Sequence, residues 1–143
     1  MVLLDTNVLV YARASDSPLF KKAKAILDRA IAGNLDTCIS LQNLWEFYAV
    51  VTDLKRVTNP LSPQQASQDI RQYLSCQNIE KLVVRESTIV LALKLAKKYS
   101  IRKQNIYDTQ LVATMVENGI GKILTSNVKH FSTYGEIQAE NPF

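Results

Sequence analysis

The sequence has few of the residues from which disulfide frameworks and many metal sites are built. It contains two cysteines and a single histidine, His130. Because Cys38 and Cys76 form no Cys-x-x-Cys pair, we expect neither a disulfide framework nor a thiolate zinc site. A lone histidine also excludes metal sites built from several imidazoles and any relay between two of them.

Long apolar runs are also missing. Asp, Lys or Arg interrupts every apolar stretch well before the roughly 18 residues that a membrane span requires. Asp5 interrupts the first stretch, and no basic segment precedes it. We therefore expect a soluble, cytoplasmic protein that does not associate with membranes. The 17 basic residues exceed the 13 acidic ones, and this modest excess suits a polyanionic partner such as RNA.

Short apolar runs alternate with helical patterns along the chain. Strands are predicted at 2–4, 37–39, 82–84 and 122–125, with a weaker fifth near Ile137. A polar turn is predicted after the first strand, and helices are predicted to begin near the capping residues Ser17, Ser40, Ser62, Ser87 and Asn105. This alternation predicts one α/β domain over residues 1–143, a three-layer α/β/α sandwich around a parallel sheet of four or five strands.

Ligands of open parallel sheets bind outside the carboxyl ends of the strands, so the polar residues there are candidates for a site. Asp5 follows the first predicted strand and Asn127 follows the fourth. Asp108 falls in the first turn of the helix that Asn105 precedes. Glu46 lies about one and a half turns into the helix after the second strand.

Each of the acidic residues also has an ordinary structural explanation. Asp5 fits a turn or a helix cap, and Asp108 fits a helix N-terminus, where its charge contributes under about 1 kcal/mol. Glu46 is more informative, because its helix is apolar nearly all round and is expected to bury Leu44, Tyr48 and Val51, with Trp45 beside them. A half-buried carboxylate with no basic residue four positions away is costly.

The three carboxylates together favour a divalent cation. At about 4 Å and an effective dielectric constant near 20, each pair repels by roughly 4 kcal/mol, and a bound cation offsets that repulsion. The candidate ligands are all oxygen atoms, which favours Mg²⁺ or Mn²⁺ over zinc.

Several segments carry a resemblance to a known family: 3–9 (LLDTNVL), 45–47 (WEF), 107–114 (YDTQLVAT) and 124–127 (LTSN) through 130–131. In this order and spacing they resemble the PIN-domain ribonucleases, and within them the VapC-type toxins of toxin–antitoxin pairs. Segment 56–62 (RVTNPLS) and the overall length are similar to that branch as well. The resemblance implies the sheet order 3-2-1-4-5, one or two bound Mg²⁺ or Mn²⁺ ions, and endoribonuclease activity.

The resemblance also implies roles for particular residues. It makes Asp5, Glu46 and Asp108 catalytic metal ligands. The fourth catalytic position, usually aspartate in the family, falls on Asn127, which adds no negative charge and leaves the number of metals open. A small antitoxin partner and a homodimer are further implications.

Other residues are predicted to support the site. The candidates for hydrogen bonds to the carboxylates are Thr6, Asn7, Thr125 and Ser126, for which backbone capping is the alternative role. The candidates for RNA contacts are Arg13, Arg102 and Lys103. His130 is not predicted to be a catalytic base, and Phe131 beside it is predicted to pack in the core.

Three alternatives remain open at this point. A catalytically degenerate PIN module would bind RNA or a protein partner without cleaving, and Asn127 supports that alternative. A phosphatase of the haloacid-dehalogenase type needs a second aspartate two residues after the first, where this chain has Asn7. A flap-nuclease-like activity on DNA would require more acidic residues and larger helical insertions.

Overall fold

The computed structural model describes all residues from Met1 to Phe143. Its strands are β1 (Val2–Leu4), β2 (Thr37–Ser40), β3 (Ile79–Leu82), β4 (Lys122–Leu124) and β5 (Gln138–Glu140). Its helices are α1 (Thr6–Tyr11), α2 (Phe20–Ile31), α3 (Leu41–Val51), α4 (Pro63–Ser75), α5 (Glu86–Lys98), α6 (Asn105–Glu117) and α7 (Val128–Phe131). No helix is long and apolar enough to span a membrane.

The five strands form one parallel sheet in the order β3-β2-β1-β4-β5, which confirms the predicted order. Strand β1 lies at the centre, where Leu3 is in register with Cys38 of β2 and Ile123 of β4. Because neighbouring strands are parallel, the segments that follow β1, β2 and β4 all emerge at the same edge of the sheet.

Two apolar clusters cover the two faces of the sheet. Leu4 belongs to a cluster with residues of α1, α2, α3 and α4, whereas Leu3 belongs to a cluster with residues of α5 and α6. Successive side chains of a strand point to opposite faces, so β1 contributes to both. Phe131 is buried in the second cluster, as predicted. The result is the expected arrangement of helices on both sides of a parallel sheet.

The third strand lies earlier in the chain than predicted. It spans Ile79–Leu82, where Ile79 and Leu82 are buried and Glu80 between them is exposed. The predicted strand at 82–84 was wrong because Val83 and Val84 extend the apolar run past the last paired residue, and both are exposed. Strand β3 lies at the edge of the sheet, where charged side chains such as Glu80 are common because they oppose pairing with another chain.

The segment after Asp5 is a helix, not the predicted polar turn. Asp5 has an extended backbone, and its carboxylate accepts a hydrogen bond from Thr6 N at 2.7 Å, which caps α1. The other caps also differ in part. Helix α2 begins three residues after Ser17, at Phe20, and Thr88 rather than Ser87 bonds the residue before α5.

Helix α3 is rotated from the predicted orientation. Phe47 is fully buried with Leu44 and Val51, whereas Trp45 is 73% exposed and Tyr48 is only partly buried. The helix is apolar nearly all round, so its sequence alone does not determine which stripe faces the sheet. Ser40 caps it as predicted, accepting a hydrogen bond from Gln42 N, while Asn43 Oδ1 accepts one from Ser40 N.

Candidate functional site

A pocket of about 420 Å³ opens at the edge of the sheet where β1 and β4 end. Its wall includes Asp5 after β1, Glu46 from α3, Asp108 from α6 and Asn127 after β4. We call it the acidic pocket. The fold thus brings together four polar residues that are distant in sequence.

Asp5 is the most deeply buried of the three carboxylates, with 6% of its surface exposed. Besides Thr6 N, its carboxylate accepts hydrogen bonds from Asn7 Nδ2 at 2.5 Å and Thr125 Oγ1 at 2.6 Å. Burial raises the pKa of Asp5 to about 6. The bonds from Thr125 and Thr6 oppose that rise, and the nearby charges of Glu46 and Asp108 add to it.

Glu46 is partly buried and is held at both oxygens. Thr6 Oγ1 donates to Glu46 Oε2 at 2.8 Å, and Gln42 Nε2 donates to Glu46 Oε1 at 2.8 Å. Asn43 Nδ2 donates in turn to Thr6 Oγ1 at 3.0 Å, and Gln110 Nε2 donates to Gln42 Oε1 at 2.7 Å. This chain of neutral donors, which links α1, α3 and α6, fixes the carboxylate without neutralising its charge.

Asp108 and Asn127 are held less firmly. The Asp108 carboxylate is about one-third exposed, and its contact is His130 Nδ1, at 3.4 Å from Oδ2. Burial raises the pKa of Asp108, Glu46 raises it further, and His130 opposes the rise. Asn127 is exposed, and its side chain makes no hydrogen bond; its backbone N–H donates to Thr125 Oγ1 at 2.9 Å.

Of the remaining predicted site residues, some line the acidic pocket and others lie outside it. Ser126 lines the acidic pocket and donates through its backbone N–H to Asn7 Oδ1 at 3.1 Å, so its contact is not through the hydroxyl. Arg13 lies beside a neighbouring cavity and is paired with Asp69 at 2.8 Å. Arg102 and Lys103 are exposed between α5 and α6 and line neither the acidic pocket nor that cavity.

Sequence reasoning missed four residues around the site. Gln42 bonds Glu46 directly, and Asn43 orients Glu46 through Thr6. Gln110 in turn bonds Gln42. Gln42 had a sequence signal, since it stands four positions before a half-buried glutamate that lacks a basic partner. Arg56 also lines the acidic pocket, and its sequence position after α3 carried no indication of this.

The residues of the pocket fit a divalent cation in their chemistry. Neither Asp5 nor Glu46 forms an ion pair with a basic side chain, although unpaired charges are costly to bury. The chain has no cluster of three acidic, histidine or cysteine side chains close enough to form a ready-made metal cage. Mg²⁺ commonly binds through one or two carboxylates and keeps several of its waters, so the loose grouping of Asp5, Glu46 and Asp108 suits it.

Comparisons of this sequence with known proteins point to one family. The family model of the PIN domain matches residues 2–136. Ribonuclease VapC24 of Mycobacterium tuberculosis is 28% identical over 99% of this chain and 97% of its own length.

Solved structures share the fold. A crystal structure of Mycobacterium tuberculosis VapC20, described as a sarcin-ricin loop cleaving toxin, superposes with a TM-score of 0.72 at 13% identity, covering 96% of this chain and 98% of that one. A toxin–antitoxin complex from Klebsiella pneumoniae superposes with a TM-score of 0.65 at 17% identity, covering 100% and 98%. With the family model spanning nearly all of its residues, the chain belongs to the PIN domain family.

Proposed function

We propose that this protein is a VapC-type endoribonuclease that cleaves RNA phosphodiester bonds at the acidic pocket with the help of Mg²⁺ or Mn²⁺. The observation that carries the proposal is the meeting of Asp5, Glu46 and Asp108 in one pocket, where Asp5 and Glu46 lack a basic partner. A protein that only binds gains nothing from such mutual repulsion. The similarity to Ribonuclease VapC24 supports the same activity.

The chain's own side chains have separable roles in this proposal. Asp5 and Asp108 would hold the divalent ion most directly, and Glu46 would accept a proton or orient a water molecule, with one carboxylate oxygen fixed by Thr6 and the other by Gln42. When bound, such an ion supplies Lewis-acid activation of a water molecule and offsets negative charge on the phosphate. Thr125 orients the carboxylate of Asp5 through its hydroxyl.

A small protein antitoxin is the proposed partner. The Klebsiella pneumoniae structure, which is a toxin–antitoxin complex, supports this proposal together with the VapC relatives. We further propose that the protein acts in the cytoplasm as one domain spanning residues 1–143.

The central experiment measures metal-dependent cleavage. Purified protein is incubated with a labelled structured RNA in Mg²⁺ or Mn²⁺ and in excess EDTA. We expect cleavage that EDTA abolishes, and a fall of about a thousandfold in kcat/KM for Asp108→Asn, since several kcal/mol of charge stabilisation is lost.

Asp28→Asn is the matched control. Asp28 is exposed on α2, pairs with Lys24 and does not line the acidic pocket, so cleavage should be unchanged. If the wild-type protein binds the RNA tightly but leaves it intact in both metals, the degenerate binding module replaces the nuclease.

A homodimer is the proposed assembly, and it would cover an exposed apolar groove. The groove has a volume of about 730 Å³ and is lined by apolar residues from three parts of the chain: Leu41, Trp45, Val83, Val84 and Tyr107. Exposed apolar surface rimmed by polar residues is typical of surfaces that bind another protein chain.

The size of the assembly tests this proposal. We expect Trp45→Glu to convert the dimer to a monomer in light scattering coupled to gel filtration. Leu54→Glu is the control, because Leu54 is equally exposed but lies outside the groove. A dimeric Trp45→Glu variant, or a monomeric wild-type protein, would exclude this interface.

A further inference from the structure

One basic side chain, Arg56, stands where two depressions of the surface meet. It lines the acidic pocket and also a neighbouring cavity of about 340 Å³, which we call the side cavity. Val10 and Tyr11 of α1 line both as well, so the two spaces adjoin along that helix. Arg56 is the one lysine or arginine in the wall of the acidic pocket.

The side chain of Arg56 is free to bind a ligand. Its backbone is fixed in a turn, where the N–H groups of Arg56 and Val57 both donate to the carbonyl oxygen of Asp53. Its guanidinium makes no hydrogen bond and no ion pair, whereas Arg13 across the side cavity is already bonded to Asp69. A guanidinium has five N–H donors in a planar fork that matches a phosphate group.

The side cavity has the mixed lining that a nucleotide requires. Val10, Val51 and Leu61 supply apolar surface, and polar groups are contributed by Ser15, Ser17, Thr58 and Asn59. One acid, Asp16, and two arginines, Arg13 and Arg56, also line the cavity. Its volume lies at the lower end of the range for small-molecule pockets, which is roughly 300–1,000 Å³.

We propose that the side cavity binds the RNA nucleotide next to the cleaved bond, with Arg56 donating to the phosphate between the cavity and the acidic pocket. The proposal rests on the proposed nuclease function, because it takes the acidic pocket as the place of cleavage. It assigns a binding role to Arg56 and places the RNA strand along α1.

Charge favours a nucleic acid over a basic protein segment as the occupant. A polyanion that approaches three carboxylates is repelled unless a cation lies beside its path, and Arg56 is that cation. A basic peptide arm would be attracted to the carboxylates but repelled by Arg56.

Binding of single-stranded RNA tests the role of Arg56 separately from catalysis. Arg56→Gln is made in an Asp108→Asn background, in which cleavage is expected to be about a thousandfold slower. The affinity for a fluorescent 12-nucleotide RNA is then measured by anisotropy in Mg²⁺. We expect about tenfold weaker binding from the loss of one charge-assisted contact. The slope of log affinity against log salt concentration should fall by about 0.7.

Arg71→Gln in the same background is the matched control. Arg71 is an exposed arginine on α4 that lines neither the acidic pocket nor the side cavity, so neither affinity nor salt slope should change. Arg56→Lys should keep the salt slope while losing part of the affinity, since lysine retains the charge but not the fork.

The outcomes separate this inference from the nuclease proposal. Unchanged RNA affinity and salt slope in Arg56→Gln, with metal-dependent cleavage by the wild-type protein, would overturn the nucleotide subsite alone. Weaker binding of the cognate antitoxin with unchanged RNA binding would also overturn it and make the cavity a protein-binding surface. Weaker RNA binding in a protein that never cleaves would support the subsite while the nuclease proposal fails.

Discussion

The two walls of the acidic pocket differ in how firmly they hold their side chains. Asp5 and Glu46 form what we call the fixed wall, where five hydrogen bonds to the two carboxylates come from backbone or neutral side-chain donors. Asp108 and Asn127 form the open wall, where the contact of Asp108 is one imidazole nitrogen at 3.4 Å and the Asn127 side chain makes no hydrogen bond.

The difference suits a site that binds and releases a hydrated ion. Ligands that are already oriented lose little freedom on binding, and the fixed wall supplies such groups. The side chains of the open wall are free to move, so they can complete the near-octahedral geometry that Mg²⁺ demands. The comparison therefore predicts that changes on the fixed wall have larger effects than changes on the open wall, direct loss of the Asp108 carboxylate excepted.

The largest expected effect is the change with pH in the free energy of unfolding of the metal-free protein. The pKa of Asp5 is about 6 when folded and 3.8 as its ordinary value, so between these values the folded state binds more protons than the unfolded state. The free energy of unfolding should therefore fall by about 3 kcal/mol in total as the pH rises from below 3.8 to well above 6, with about 2 kcal/mol of the fall between pH 4 and 6. Urea unfolding in EDTA at several pH values measures this change.

Asp5→Asn should lack this part of the pH dependence. The slope with pH is compared instead of the absolute stability, because an amide has one acceptor oxygen and cannot accept from Thr6 N on one atom and from Asn7 and Thr125 on the other. Identical slopes in the two proteins would mean that burial of Asp5 carries no such cost.

A smaller effect is expected when the fixed wall loses one hydroxyl. Thr125→Val removes the donor to Asp5 and the acceptor for Asn7 and the Asn127 N–H while nearly preserving shape. We expect kcat/KM to fall by about 10- to 100-fold, as for other groups that orient metal ligands. Measured RNA cleavage at saturating metal checks the prediction.

Thr114→Val provides the control for Thr125→Val. Thr114 is equally buried, and its hydroxyl donates to the carbonyl oxygen of Gln110 within α6, away from the pocket. Its cleavage rate should stay near that of the wild-type protein. An equal loss in both variants would show that a general loosening of the core, rather than Asp5 orientation, lowers the rate.

The smallest effect is expected on the open wall. Asn127→Ala removes an exposed side chain that makes no hydrogen bond, so we expect kcat/KM within about threefold of the wild-type value. Asn127→Asp places a fourth carboxylate in the pocket, and we expect it to lower the Mn²⁺ concentration needed for half-maximal cleavage. A large loss in Asn127→Ala would contradict the division into two walls.

Most of the fold was predictable because it follows from local patterns. The alternation of short apolar runs with helical periods indicates a parallel sheet between helices, and the sheet has that form. The error at β3 arose because Val83 and Val84 are as apolar as a buried strand. Only pairing with β2 determines where that strand ends.

The position of the carboxylates was predictable in part. Asp5 stands directly after a central strand, and such residues meet at the carboxyl edge of a parallel sheet. The orientation of α3 was not predictable, because an almost wholly apolar helix does not show which stripe it buries. Trp45 was therefore expected inside and is instead exposed on the surface.

The sequence by itself determined the succession of strands and helices along the chain, because each element depends on interactions between near neighbours. It also determined which acidic residues follow or lie within these elements. Only the tertiary structure decided that Asn43 bonds Thr6, that Gln110 bonds Gln42 and that Arg56 lies beside the site. Those contacts join residues tens of positions apart, and they form only after the packing of α1, α3 and α6 on the sheet has set the distances between them.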